Sequence, residues 1–216
     1  YEAGIEVKVT DEPARIVEAL LKACSGQLAE QGGVWRVQAG EPGTAVYSFT
    51  DDDVVVTEDQ TFEVHPGLMQ VHNGVTATYV DPRRLWEDRD APPLYDAEYE
   101  TEDGRRLVAN LAFPAVFDVR QTRQLMRGYL RDGRRFRVLT LTLPPDAWPI
   151  EPLDTVSWTS SCNGWTDKLF EVVQITDDPL SLLQTVTLRE RDPADYDCTA
   201  DDEPSQPVED GGGVLP

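Results

Sequence analysis

The chain has 216 residues and a formal net charge of −21, an acidity that opposes contact with nucleic acid over most of its surface. Its length suits one large or two small domains, and 40% hydrophobic residues with five Trp exclude a chain disordered throughout. Cysteines at 24, 162 and 198 show no Cys/His spacing and point neither to a disulfide framework nor to zinc, and no run of about 18 apolar residues offers a membrane span.

The first residue is Tyr, with no signal segment behind it, which suggests a piece of a longer polypeptide. Thr10-Asp11-Glu12-Pro13 predicts a helix start, with acids in the first turn and Pro where a missing N–H costs nothing. Ile16, Val17, Leu20, Leu21 and Cys24 form its expected buried stripe. Gln31-Gly32-Gly33 then predicts a hairpin over residues 27–38, and helix plus hairpin are expected to pack through Trp35 into a small α+β layer. Strand-like pieces follow at 45–49 and 61–64. Asp51-Asp52-Asp53 lacks the oxygen spacing and Gly of a calcium loop, so a turn or the capped start of a short helix explains it better.

Residues 70–81 read as a long strand and 81–93 as a polar loop. Leu94–Glu100 and Arg105–Phe113 flank Asp103-Gly104, a turn signal that predicts a second hairpin. Asp118 is placed to cap a helix from Val119 to about Asp132, with Gly133 as its stop. Val119, Thr122, Leu125, Met126, Tyr129 and Leu130 fall on one side of it, and Arg120, Arg123, Arg127 and Arg131 form a stripe beside them. The alternation from Arg135 to Leu143 predicts a half-buried strand with Leu139, Leu141 and Leu143 on one face, ended by Pro144-Pro145. Strands at 155–160, 168–176 and 182–189 complete the pattern, with Asn163-Gly164 as a turn.

Seven Arg against one Asp between 119 and 143 make a basic island in an acidic chain. The last 25 residues carry eight acids and no Lys or Arg, which leaves −21 + 8 = −13 for residues 1–191. The island admits a solvated or acid-paired helix face, bidentate Arg–carboxylate pairing at a subunit boundary, or contact with DNA phosphates. Specific nucleic-acid binding ranks last because the surrounding charge opposes it. His65 and His72 lack metal-ligand partners, Thr159-Ser160-Ser161 lacks a nucleophile elbow, and neither a phosphate loop nor a dinucleotide fingerprint occurs. No catalytic, cofactor-binding or metal site is therefore expected.

Five runs taken together resemble a known family: Leu20–Arg36, Val75–Pro82, Arg105–Pro114, Thr122–Pro144 and Phe170–Asp197. Their order is similar to the hub region of phage tail-tip proteins, the J-type tip attachment or host-specificity proteins, and of relatives in gene transfer agents. The resemblance implies a virion structural protein that closes the distal tail tube, carries host-recognition modules and meets other tail-tip and tube proteins. It also implies a homotrimer around the tail axis, possible monomer behaviour in isolation, and location at the virion tail tip after assembly in the host cytoplasm. The alternative is a tail-associated enzyme acting on envelope polysaccharide or peptidoglycan through paired carboxylates.

The expected fold is α+β and predominantly β. Residues 1–69 would form the helix-and-hairpin subdomain, 70–191 a β-barrel-like hub domain with one amphipathic helix, and 192–216 an acidic linker. The helix is expected to cover an open part of the barrel, with Leu139, Leu141 and Leu143 inside. Where family members often have Pro-Gly-Asp, this chain has Pro152-Leu153-Asp154. A branched side chain disfavours positive φ, so a turn of another type is expected, with Leu153 at negative φ.

Overall fold

The computed structural model describes residues 1–63 and 71–197. The elements in chain order are α1 (Pro13–Lys22), β1 (Gln27–Gln31), β2 (Val34–Gln38), β3 (Tyr47–Thr50), β4 (Thr61–Glu63), β5 (Gly74–Asp81), β6 (Glu87–Asp90) and β7 (Leu94–Tyr95). There follow α2 (Ala97–Asp103), β8 (Val108–Phe113), α3 (Val119–Asp132), β9 (Val138–Leu143), β10 (Thr155–Ser160), β11 (Trp165–Asp178) and β12 (Leu183–Glu190).

The strands do not close into a barrel. They form a six-stranded open sheet in the order β3-β10-β11-β12-β9-β4, a four-stranded sheet centred on β5, and the separate β1-β2 hairpin. In the large sheet β3 and β4 are edges and only the β3–β10 pairing is parallel. In the smaller one β5 pairs antiparallel with β6 and β7 and parallel with β8. Strand count alone suggested closure. Two sheets result instead because the smaller sheet contains a parallel pair whose crossover uses a helix, and α3 follows before the chain returns to the larger sheet, which β3 and β4 had already joined. The six-stranded sheet draws strands from both sides of position 69/70.

Each sheet has its own core. Val75, Ala77, Tyr79 and Phe113 pack with Leu125, Met126 and Leu130 of α3. Phe49, Leu139, Leu141, Leu143, Phe170, Val172, Val186 and Leu188 form the second cluster. The leucines of β9 are thus buried as expected, but α3 covers the smaller sheet rather than them. Their partners across the ladder are Leu188, Val186 and Gln184, while Thr140 and Thr142 on the opposite face meet the hydroxyls of Thr187 and Thr185 at 3.1 and 3.3 Å. Full burial of each leucine contributes about 1.5–3 kcal/mol.

Two further expectations are corrected. Asp103-Gly104 ends a helix instead of turning a hairpin: Asp96 caps α2 by accepting from the amides of Glu98 and Tyr99, and Gly104 at φ 68° closes it in the left-handed region. The second strand of that predicted hairpin then runs parallel to β5 as β8. The helix-and-hairpin layer is also not packed through Trp35, which is 67% exposed, nor through Val17 and Leu20, which are exposed too. Ala19 and Ala23 are the buried positions there, and Arg36 ties the hairpin to Asp154 at 2.7 Å and Glu151 at 3.2 Å. Residues 51–53 form a short 3-10 turn, fixed by the Thr50 amide donating to Asp53 at 2.8 Å. His65 lies outside the described residues.

Leu85 and Trp86 stand at φ 58° and 65°, consecutive left-handed residues without being glycine. The Leu85 side chain is 89% exposed, so nothing offsets its strain. Leu85→Gly is expected to stabilise the chain by about 1 kcal/mol and raise Tm by about 2–4 °C in calorimetry. A fall in Tm would show that the leucine makes contacts that outweigh the strain.

Candidate assembly surface

Helix α3 is positioned by both of its ends. Asp118 accepts from the Arg120 amide at 2.8 Å, and the Thr122 hydroxyl donates to the Asp118 carbonyl at 2.9 Å. Gln121, buried on the inner side, donates to the Ala23 carbonyl at 2.7 Å and accepts from the Glu2 amide at 3.1 Å, linking α3 to the N-terminal segment and the end of α1. Tyr129, expected on the buried side, is 41% exposed and lies against His72.

The stripe occupies one flank. Arg120 is exposed, while Arg123, Arg127 and Arg131 are half-buried. Arg131 donates to the carbonyls of Ala194 and Asp197 at 3.4 and 3.3 Å. The Nε of Arg123 is buried and has no hydrogen-bond partner among the described residues.

At the C-terminal end of α3 the two sheets are joined by charge. Asp132 pairs with Arg189 and, at 2.9 Å, with Arg191, and Arg191 reaches Glu171 at 3.4 Å. Glu190 takes Lys168 at 2.6 Å and Arg137 at 2.8 Å, and Arg135 holds Asp195 at 2.7 Å and Asp192 at 2.9 Å. Burial pushes the Glu190 carboxyl up, but hydrogen bonds from Lys168 and Arg137 outweigh it and hold the group below its ordinary range. The hydrogen bond to Asp195 raises Arg135 against the opposing effect of burial. Burial pushes Tyr196, beside this network, up to about 12. Sequence reasoning missed this network, although one signal was present: Glu190 falls in the inward phase set by Gln184, Val186 and Leu188.

Other acids have structural duties. Asp51 accepts from Trp158 Nε1 at 3.2 Å and the Ser161 amide at 2.9 Å, and hydrogen bonds led by the Ser160 hydroxyl lower its pKa to about 2. Among the described residues no group of three or more His, Cys, Asp or Glu could hold a metal ion, and no helix is long and apolar enough to cross a membrane. The polar clusters described are ion-paired or hydrogen-bonded within the fold, and the broad arginine flank of α3 suits recognition of carboxylates rather than bond making.

Residues 12–175 match the family described as "Putative phage tail protein". The chain belongs to that family. It is 28% identical over 167 residues to baseplate hub protein pb3 of Escherichia phage T5, covering 73% of this chain and 17% of that protein. Its fold is similar to a chain in the virion of a native gene transfer agent particle, with a TM-score of 0.68 and 16% identity, over 88% of this chain and 42% of the other. A 43 kDa tail protein of prophage MuSo2 from Shewanella oneidensis follows at 0.54 and 14% identity, covering 90% and 56%. A tail protein from Neisseria meningitidis MC58 stands at 0.55 and 12%, covering 86% and 57%. The chain therefore spans about a sixth of the curated relative and about half the length of these structures. These similarities do not single out the J-type tip attachment proteins, and the chain is a tail-associated structural protein of the phage type.

Proposed function

We propose that this phage tail protein forms part of the hub at the distal end of the tail, closing the tube and carrying host-recognition modules. The observation that carries the reading is the match of 73% of the chain to a protein named as a baseplate hub. The fold supports it: an open six-stranded sheet with two edge strands is suited to contact with neighbouring subunits. A homotrimer around the tail axis, assembled in the host cytoplasm with other tail-tip and tube proteins, fits this role. Arg120, Arg123, Arg127 and Arg131 form the inter-subunit surface, paired in the tail with acidic neighbours.

The test uses the full-length tail protein. Arg123→Glu with Arg127→Glu is expected to leave the isolated chain folded, at a cost of about 1 kcal/mol for each half-buried position and a fall in Tm of about 2–4 °C per kcal/mol. Incorporation into purified tails, read by quantitative mass spectrometry and electron microscopy, is expected to fall. Normal tails from the charge-reversed protein would remove the stripe from the interface. Antibody labelling away from the tail tip would overturn the hub position itself.

A further inference from the structure

The connection between β5 and β6 carries Leu85 and Trp86, the consecutive left-handed pair, which burial does not offset because the two side chains are 89% and 63% exposed. Strain kept without a packing gain concentrates at binding sites. Its geometric result here is to set the Trp86 indole against Phe117, with the rings at 90° and their centroids 5.1 Å apart. The two rings are adjoining walls of a recess of about 620 Å³, completed by Ile5, Val80, Pro114 and Glu6. The Gly4 amide holds the N-terminal segment there by donating to the Ala115 carbonyl at 3.1 Å. A Cβ on Gly4 would stand 2.7 Å from the Phe117 ring, so glycine lets the segment approach this closely.

Glu6, itself exposed, brings the one formal charge in this lining among the described residues. Arg83 and Arg84, on the 3-10 turn just before the strained pair, do not line the recess. Elsewhere in the fold aromatic rings carry cations: Arg106 lies 4.3 Å from the centroid of Tyr95, Arg134 4.3 Å from that of Tyr99, and Lys168 5.4 Å from that of Trp165. Trp86 and Phe117 carry none among the described residues. Two aromatic walls beside a carboxylate are the components of a site for an organic cation, and the net charge of −21 favours its approach. A guanidinium suits the recess best, because its plane stacks on the indole while its N–H groups reach the carboxylate.

We propose that the recess between Trp86 and Phe117 is a socket for an arginine side chain presented by a neighbouring protein. That the neighbour is another protein of the tail rests on the function proposed above, whereas the chemistry of the socket does not. The strain at Leu85 and Trp86, unbalanced in the isolated chain, then serves to hold the indole open for its partner.

The experiment follows the five tryptophan indole N–H signals of the full 216-residue chain by heteronuclear NMR, with the Trp86 signal identified by its loss in Trp86→Phe. The probe is the peptide acetyl-Gly-Arg-Gly-amide, and the same peptide with citrulline in place of arginine is its neutral isostere. The Trp86 signal is expected to shift saturably with the arginine peptide and to stay in place with the citrulline one. Glu6→Gln is expected to weaken the binding by about two- to fivefold. Trp35 is the control, since it is 67% exposed and faces Glu30 across the hairpin without a second ring paired to it among the described residues. No shift at Trp86, an equal shift at Trp35, an equal response to citrulline or an unchanged affinity in Glu6→Gln overturns the socket. Antibody labelling away from the tail tip overturns the hub position and leaves the socket standing, because the titration is made on the isolated chain.

Discussion

Arg191→Ala is expected to destabilise the chain by about 3–5 kcal/mol, the range for removing one partner of a buried ion pair, and to lower Tm by roughly 10 °C at about 2–4 °C per kcal/mol for a chain of this size. Arg191 is 4% exposed and is the cation placed against Glu171, which is 1% exposed. Asp132 keeps Arg189 after the substitution, but Glu171 is left charged in the interior between the layers. The loss is therefore mostly the cost of an orphaned carboxylate. Urea unfolding of Arg191→Ala, Glu171→Gln and the double variant separates the effects: the double variant is expected to lose less than the sum of the singles. Full additivity would show that the two groups are not coupled. The exposed pair Arg106–Glu100, at 2.9 Å, provides the contrast, since such pairs contribute about 0–1 kcal/mol.

Leu153→Gly is expected to cost about 2 kcal/mol even though it relieves strain. Leu153 adopts φ 69°, against the expectation that a leucine would force a different turn. The turn is held from both sides: Leu153 donates to the Val172 carbonyl at 2.8 Å, Val172 donates to the Asp154 carbonyl at 2.9 Å, and Asp154 accepts from the Glu151 amide at 2.8 Å. Glycine at this position gains about 1–2 kcal/mol by removing the left-handed penalty. It loses a buried leucine side chain and leaves a cavity, worth about 3–5 kcal/mol in the Leu→Ala class. The cavity decides the sign here, whereas at exposed Leu85 the strain decides it. Denaturant midpoints of the two glycine variants should move in opposite directions; a stabilised Leu153→Gly would mean that its side chain fills no space that matters.

The parts of the fold legible beforehand are those encoded locally. Asp118 and the apolar stripe of 119–130 placed α3, the alternation in 138–143 placed β9 and its buried leucines, and Asn163-Gly164 placed the turn between β10 and β11. The misreadings come from signals with two physical outcomes. Asp-Gly supplies a left-handed residue to a hairpin and to a helix end alike, and only the Asp96 cap with acids in the first turn of α2 separates them. The parallel pairs β3–β10 and β5–β8 leave no mark in local sequence, so the division into two sheets was hidden. Arg134, Arg135 and Arg137 belong to the basic island of 119–143, but local sequence does not show their partners, since each meets carboxylates that are distant in the chain: Arg134 with Asp103, Arg135 with Asp195, and Arg137 with Glu190.

The order of strands in the large sheet also sets a timetable for synthesis. Residues 47–50 form an edge whose partner, 155–160, emerges more than a hundred residues later, on the order of ten seconds at ribosomal rates. The last strand among the described residues, β12, is inserted between β9 and β11, so the sheet cannot be joined across those two until residue 190 has left the ribosome. The nascent chain must therefore carry Phe49 and the leucines of β9 without their final cover until translation of this region is almost finished. A stop codon anywhere before β12 would release a chain whose larger sheet is missing its middle rather than its end.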